Sequence, residues 1–453
     1  MKRSGASTGT VLGALIVGVL LGAGVLYGAS AGGYLGGTTS TVGGVTTTIG
    51  GHTTTQTVTA PGSGLTGTVK IGLLTDWTAD LRSQGLRENV SSHMAIAEIN
   101  AMLASSGSSV RFAIVPQDYA LDTARATTIL GTYKTQGINV IVGPLNSGTA
   151  AGILSLANSN HQVLISPSST APQLGIPNDY LFRTSPNDAN QGHAVARELC
   201  TQGVTAVIIS YRNDRYGVGL SNASAAYFQA LCNGHVVDQI PYDTSISDFT
   251  AVLSTMAADW TAASATYGAA NVAIMDISFE EMGQLLAQAQ QQQPQLLTTA
   301  QPWYGSDGQA EDTVLTGNST SGPLLAQIKL PSTLYAPFNS TKFTTFCARF
   351  TLADNGEPCD AYAQGGYDNT WLAALSILAA GSNDGAAVQA ILSTVADNFY
   401  GVTGWMTLQA SGDRAPQNGY DVWKVVTQSG TPRWVLAGHW DQVSDIITWT
   451  SPP

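Results

Sequence analysis

Along most of the chain, short runs of apolar residues alternate with longer stretches in which apolar residues recur every three or four positions. The run VKIGLLT (69–75) predicts a strand, and segment 85–103 then places Leu86, Val90 and Met94 at helical spacing. The strand-like runs are almost continuously apolar, which is typical of parallel strands covered on both faces. The pattern therefore predicts an α/β protein with parallel sheets.

The predicted strands and helices fall into two consecutive series, separated by the segment YLFRTSPND (180–188). Each series alternates strand and helix over several units, so each can form a doubly wound parallel sheet with its own core. We therefore expect two doubly wound lobes. In such sheets ligands bind at the carboxyl ends of the strands, so the loops that follow the strands are the places to look for a site.

Charge and motifs exclude several classes of function. The chain has 30 acidic and 18 basic side chains and a formal charge of −12, with no basic cluster after Lys2 and Arg3 that nucleic acid would require. No cofactor or metal is predicted, because no glycine-rich loop ends in Gly-Lys and no Cys or His spacing matches a zinc site. The single G-x-S-x-G, at 28–32, lacks a strand–turn–helix context. We expect no catalytic residue and no enzyme.

The N-terminal region predicts export. No charged residue occurs from Ser4 to Val69, and the apolar segment 11–29 follows a basic start. At about 1.5 Å per residue this segment could span a bilayer as an anchor, whereas the A-x-A at 29–31 would allow cleavage. Residues 1–31 are thus a signal or membrane anchor, and the Thr/Gly-rich 32–68 is a flexible linker. The protein is extracellular, tethered to the membrane, or secreted if cleaved.

Export also makes disulfides the expected state of the four cysteines, which allow three pairings. Their spacing favours the pairs Cys200–Cys232 and Cys347–Cys359. A glycosylated surface is predicted by the N-x-S/T sequences that start at Asn89, Asn222, Asn318 and Asn339.

Hydroxyl side chains follow two neighbouring predicted strands. Ser147 opens a helix after INVIVGPLN, and Ser168, Ser169 and Thr170 follow QVLIS. Hydroxyls and free backbone N–H groups at a helix N-terminus bind anions. The alternative is that these residues cap helices and form turns, and satisfy only their own backbone.

Two further residues follow strand-like segments of the second series. Asp307 lies in WYGSDGQAEDT (303–313), and a carboxylate opposite an anion site would suit a ligand ammonium group. Tyr216, in YRNDRYGVGL, has a hydroxyl that could close on a ligand. The alternatives are that Asp307 belongs to an ordinary turn and that Tyr216 is a core or surface tyrosine without a role in binding.

These segments together resemble the leucine/isoleucine/valine-binding family of extracellular solute receptors for ABC importers, over about residues 69–437. The resemblance rests on segments that include VIVGPLNSGTAAGILSLAN, VLISPSSTAPQL, YLFRTSPNDANQG, VIISYRNDRYGVGL and WYGSDG. It implies the type I periplasmic-binding-protein fold, with a first lobe of 69–186 plus 329–417 and a second of 187–328 plus 418–453. Three hinge crossovers would lie near Arg183–Asn187, Lys329 and Asn418.

The resemblance also implies roles for single residues. Ser147, Ser169 and Thr170 match positions that hold the α-carboxylate of an amino acid and help its amine. Tyr216 matches a tyrosine closing from the second lobe, and Asp307 matches the acidic residue facing the ammonium. The implied partners are a small solute, an amino acid above all, and the permease of an ABC importer.

Two loops depart from the family pattern. The first loop reads DWTADLRSQG (76–85), with Trp77 in an unusual place, and an aromatic position near DISFEEMG is replaced by Ser278 and Phe279. We therefore count Trp77 and Ser278 among the candidate ligand contacts. An altered pocket leaves a polar amino acid, a urea or an amide open as ligands, and a surface sensor or adhesin remains a rival function.

Overall fold

The computed structural model describes residues 40–49, 52–60, 64–298 and 302–452. Its first feature is an antiparallel hairpin of β1 (Ser40–Ile49) and β2 (His52–Ala60). This differs from the flexible linker predicted for 32–68, and the abundance of β-branched threonine accounts for the difference. The predicted signal or anchor, 1–31, lies outside the described residues. Across the described ranges, no helix is both long enough and apolar enough to cross a bilayer.

The next part of the chain builds the sheet of the first lobe. Its elements are β3 (Thr68–Thr75), α1 (Arg82–Ser105), β4 (Arg111–Asp118), α2 (Thr123–Thr135), β5 (Val140–Val142), α3 (Ser147–Asn160), β6 (Val163–Ser166) and β7 (Leu181–Arg183). The five strands are parallel, in the order β4-β3-β5-β6-β7. Their carboxyl ends therefore lie along one edge, where the following loops converge.

A second parallel sheet follows. Its elements and the helices around it are α4 (Asp188–Thr201), β8 (Ala206–Arg212), α5 (Arg215–Cys232), β9 (His235–Tyr242), α6 (Thr250–Tyr267), β10 (Val272–Ile277), α7 (Met282–Gln292), β11 (Trp303–Tyr304), α8 (Thr313–Gly317) and α9 (Ser321–Ile328). The strand order is β11-β10-β8-β9. Before β11, Pro294 opens a short 3-10 helix, Pro294–Leu297.

The last part of the chain serves both lobes. Its elements are β12 (Pro331–Tyr335), α10 (Thr341–Ala353), α11 (Ala361–Ala380), α12 (Gly385–Asp397), β13 (Tyr400–Gly401), β14 (Gly404–Trp405), β15 (Tyr420–Gln428), β16 (Thr431–Asp441) and β17 (Ile446–Trp449). Strands β12, β15, β16 and β17 form an antiparallel sheet, which a bridge between Gly305 and Ser332 joins to the second parallel sheet. The prediction of two parallel-sheet lobes is confirmed.

One crossover lies elsewhere than predicted. The sequence places it near Lys329, but β12 pairs along its length with β15 of the second lobe. The chain therefore leaves the second lobe only after Tyr335. A parallel bridge between Arg183 and Asp413 extends the first sheet, and β15 of the second lobe begins at Tyr420, so the chain crosses between these two residues.

Each face of the first sheet has its own core. One face packs against α1, α10, α11 and α12 through residues such as Ile99, Phe350 and Leu372. The opposite face packs against α2 and α3 through residues such as Leu130 and Ile153. Burial on both faces explains why the strands read as continuous apolar runs.

Both predicted disulfides are confirmed. Cys200 in α4 pairs with Cys232 at the end of α5, with a Cα–Cα distance of 5.7 Å. Cys347 in α10 pairs with Cys359 just before α11, at 5.2 Å. Both distances lie inside the range that disulfide geometry allows.

The four candidate glycosylation asparagines differ in exposure. Asn222, Asn318 and Asn339 are exposed, whereas Asn89 is half-buried within α1. A glycan attached to Asn89 would have to displace neighbouring side chains. Glycosylation at the other three asparagines stays a prediction.

One buried acid of the second lobe makes stability depend on pH. Glu198, in α4, is 1% exposed, and neither of its carboxylate oxygens has a hydrogen-bond partner among the described residues. Burial raises the pKa of Glu198 to about 8. The folded state therefore keeps this carboxyl protonated at pH values where the unfolded chain releases the proton.

We expect Glu198→Gln to remove part of that pH dependence. Because the folded pKa lies above the unfolded one, this group favours folding fully below the ordinary glutamate pKa and progressively less as pH rises to about 8. The variant should match the wild type near pH 4.5 and become more stable than it by about 1 kcal/mol per pH unit up to 8. Urea unfolding at several pH values measures the free energy of unfolding of the variant and the wild type. If the two free energies change with pH in parallel, the prediction is contradicted.

Candidate functional site

The amino end of α3 lies at the carboxyl edge of the first sheet without a side-chain cap. Its N-cap residue is Asn146, whose side chain makes no capping hydrogen bond and instead accepts one from the Tyr119 hydroxyl at 2.8 Å. The first N–H groups of α3 therefore remain available to a ligand, and the helix dipole favours negative charge there. This is the geometry of an anion site.

The Ser147 hydroxyl is arranged to donate. Its oxygen accepts hydrogen bonds from the backbone N–H groups of Thr170 at 3.0 Å and Ala171 at 3.1 Å. These two bonds use both lone pairs, so only the O–H remains for a ligand. A group that only accepts, such as a carboxylate, is the matching partner.

An acidic side chain of the second lobe faces this edge. Asp307 follows β11 and accepts a hydrogen bond from the Tyr216 hydroxyl at 2.6 Å. From the first lobe, the Tyr362 hydroxyl donates to the Asp307 carbonyl at 3.0 Å. Burial raises the pKa of Asp307. The carboxylate is thus fixed in place and lacks a positive partner among the ion pairs of the described residues.

A second carboxylate lies beside it. Asp188 opens α4, is fully buried, and donates its backbone N–H to the Thr170 carbonyl at 2.9 Å. Burial first, and then the charge of Asp307, raise the pKa of Asp188 well above its usual range. Two carboxyls that disfavour each other's ionisation are both stabilised as carboxylates by a single ligand cation. The sequence offered one signal for Asp188: like Ser147 and Thr170, it is a polar residue that follows a strand.

These groups surround a cleft between the lobes that divides into two chambers. The front chamber, of about 10 Å³, is lined by Leu81, Leu145, Asn146, Ser147, Tyr216 and Phe279. The hinge chamber, of about 30 Å³, lies toward the crossovers and includes Thr170, Ser185, Gln191, Tyr335 and Met406. Ser168, Asp307 and Tyr362 line both chambers.

Comparison with known proteins decides the family. The family model for periplasmic binding proteins matches residues 68–430. The chain belongs to the periplasmic binding protein family. An uncharacterized protein of Methanocaldococcus jannaschii is 30% identical over 414 residues, which cover 87% of this chain and 94% of that protein. The Leu/Ile/Val-binding protein of Escherichia coli is 23% identical over 178 residues, 37% of this chain and 48% of the relative.

Solved structures of similar periplasmic binding proteins share the fold. A leucine-binding protein from Thermotoga maritima has a TM-score of 0.67 at 21% identity, and covers 81% of this chain and 97% of its own. A solute-binding protein from R. palustris, solved with benzoate, has a TM-score of 0.65 at 18% identity, with 85% and 99% covered. This periplasmic binding protein therefore has the type I fold, like that of the leucine-binding protein.

The structure brings most of the predicted site residues of this periplasmic binding protein together. The predicted residues that line the cleft are Ser147, Ser168, Thr170, Tyr216 and Asp307. The Ser168 hydroxyl donates to the Leu145 carbonyl at 2.8 Å and so ties the two predicted loops to each other.

Three predicted residues lie outside the cleft lining. Ser169 is fully buried, and its backbone N–H donates to Ser166 Oγ at 3.0 Å. The Ser278 hydroxyl donates to Asp276 at 2.5 Å and accepts from Gln309 at 2.7 Å, below the cleft floor. Trp77 is half-buried, and its backbone N–H donates a hydrogen bond to the Asp118 carboxylate at 3.3 Å. In the altered loops, the side chains that line the front chamber are instead Leu81 and Phe279.

The unusual first loop connects the two lobes. The Gln84 side chain donates to Asp312 of the second lobe at 3.1 Å, and Arg82 pairs with Glu280 at 3.0 Å. Burial raises the pKa of Glu280 to about 8, with the charge of Asp312 adding to the shift. The loop that departs from the family pattern thus makes polar contacts between the two lobes.

Arg87 lies at the centre of this interface. It forms ion pairs with Asp360 and Glu357 of the first lobe. The same guanidinium donates across the cleft to the Glu311 carbonyl at 3.1 Å and to Thr313 Oγ1 at 3.0 Å. We call Arg87, Glu357, Asp360, Glu311 and Thr313 the interlobe cluster. Through Arg87, the cluster links the ion pairs of the first lobe to hydrogen-bond acceptors on the second lobe.

Proposed function

We propose that this periplasmic binding protein captures a zwitterionic amino acid between its lobes and presents it to the permease of an ABC importer. The carboxylate would bind Ser147 and the free N–H groups of α3. The ammonium would bind Asp307, with Asp188 adding negative charge. The observation that carries the proposal is this pairing of an uncapped helix end on one lobe with the buried Asp307 carboxyl of the other, to whose charge the buried Asp188 is coupled.

A carboxylate without an amine is the competing ligand class. The R. palustris neighbour was solved with benzoate, so the fold accepts such acids in at least one relative. A benzoate-like anion brings no cation that could stabilise the ionised forms of Asp307 and Asp188, whose pKa values burial raises. The acidic pair therefore favours a ligand that carries a positive group next to its carboxylate.

Native mass spectrometry of the purified chain, followed by titration calorimetry with amino acids and amine-free acids, tests the proposal. We expect amino acids to bind and the matching amine-free acids to bind at least tenfold more weakly. Equal affinities would reject the zwitterion. Absence of binding by every small solute tested would favour the surface sensor or adhesin, and would reject the transport proposal.

A further inference from the structure

The hinge chamber is built from the segments that connect the lobes. The first crossover contributes Thr184, Ser185 and Pro186, and the second contributes Leu334 and Tyr335. Tyr420 is contributed by the third. A ligand group in this chamber would contact both lobes at the point about which they move, so its size and polarity would bear directly on closure.

Four buried polar atoms at this chamber have no hydrogen-bond partner among the described residues: Thr170 Oγ1, Ser185 Oγ, Gln191 Oε1 and the Tyr335 hydroxyl. These residues are 5%, 8%, 0% and 8% exposed, and all four line the chamber. Buried polar groups in proteins nearly always have a partner. A ligand hydroxyl, which both donates and accepts, can satisfy the phenol, the serine hydroxyl or the amide oxygen.

The remaining wall excludes charge. Leu334, Met406, Tyr420 and Pro167 supply apolar surface, and the one ionisable carboxylate, Asp307, lies where the two chambers meet. Arg414 lies behind Tyr335, with its guanidinium 5.0 Å from the ring centre and its N–H groups donated to Thr184 and Thr403. Its Nε has no hydrogen-bond partner among the described residues, but Arg414 is not one of the residues that line the chamber.

A purely apolar side chain fits this lining poorly. A leucine side chain, with four carbons and no polar atom, would leave the buried polar atoms of the chamber unpaired.

We propose that the hinge chamber is the side-chain pocket of this receptor and that it selects a neutral side chain bearing a hydroxyl, as in serine or threonine. The inference rests on the proposed function, because the zwitterionic head group must be held by Ser147 and Asp307 while the side chain enters the chamber.

Titration calorimetry with three amino acids tests this specificity. Serine and 2-aminobutyrate have side chains of the same size and differ only in a hydroxyl against a methyl group. We expect serine to bind about tenfold more tightly than 2-aminobutyrate, and leucine to bind at least tenfold more weakly than serine. Leucine as tight as serine, or serine no tighter than 2-aminobutyrate, overturns the inference.

Two variants assign the effect to the chamber. Tyr335→Phe and Ser185→Ala each remove one hydroxyl, so each should lower the affinity ratio of serine to 2-aminobutyrate by threefold or more, with 2-aminobutyrate binding nearly unchanged. Tyr180→Phe, a half-buried tyrosine of the first lobe outside the chamber lining, is the matched control and should leave the ratio intact. An unchanged ratio in both chamber variants overturns the inference, while the amino acid itself still binds. Failure of all amino acids to bind the wild type instead rejects the proposed function.

Discussion

Replacing Arg87 with alanine is expected to lower the free energy of unfolding by about 3–5 kcal/mol. The Arg87 side chain is 1% exposed and pairs with Asp360, whose side chain is fully buried. Without the guanidinium, Asp360 would be a buried charge with no ion-pair partner. Urea unfolding of the ligand-free protein measures the loss, and a change under about 1 kcal/mol would show that the cluster contributes little.

Two further variants separate charge from geometry in the interlobe cluster. Arg87→Lys keeps the charge but loses the planar fork that reaches both lobes, so its loss should be intermediate. Asp360→Asn, added to Arg87→Ala, removes the stranded charge and should restore part of the stability. If the double variant is no more stable than Arg87→Ala, then the loss comes from missing packing and not from the unpaired carboxylate.

Asp307→Asn is expected to weaken the binding of an amino acid by tenfold to more than a hundredfold. A charge-assisted hydrogen bond in a buried site contributes about 1.5–3 kcal/mol, and each 1.4 kcal/mol is a factor of ten in affinity. The substitution keeps the size of the side chain and an acceptor for the Tyr216 hydroxyl. Titration calorimetry with an amino acid and its amine-free analogue measures the two losses separately.

The amine-free analogue supplies the internal control for Asp307. It has no positive charge to meet the carboxylate, so Asp307→Asn should change its affinity little. Ser147→Ala should instead weaken the binding of both ligands to a similar degree, because it removes a donor that any carboxylate uses. Equal losses of both ligands in Asp307→Asn would mean that this aspartate only shapes the turn after β11.

Proton release gives a second readout of the acidic pair. Burial raises the pKa of Asp307 and of Asp188, and a bound ammonium would lower both again. Binding of an amino acid should therefore release protons, detected by calorimetry in buffers with different ionisation enthalpies. Asp307→Asn should reduce that release, whereas an amine-free acid should release no protons from either carboxyl.

The sequence predicted those parts of the cleft that follow from strand ends. Ser147 and Thr170 come directly after buried strands, and parallel strands place such residues along one edge. Asp307 on the opposite lobe was predicted by the resemblance and by the chemistry of an ammonium partner. Local pattern and strand topology were sufficient for these residues because each depends on a single loop.

Other features depend on contacts that are distant in sequence. Tyr362 reaches Asp307 from 55 residues later in the chain, and no local pattern marks it. Ser278 was expected in the cleft, but its neighbours Asp276 and Gln309 hold its hydroxyl below the floor. The crossover expected near Lys329 moved because β12 pairs with β15, about 90 residues later. Pairings of this range cannot be derived from periodicity.

The two disulfides bear on how the receptor responds to redox conditions. Cys347–Cys359 lies within the first lobe and Cys200–Cys232 joins two helices of the second, so neither covalent link spans the cleft. Reducing agents would therefore loosen each lobe separately. The link between the lobes is the main chain at the crossovers, and reduction would leave it chemically unchanged.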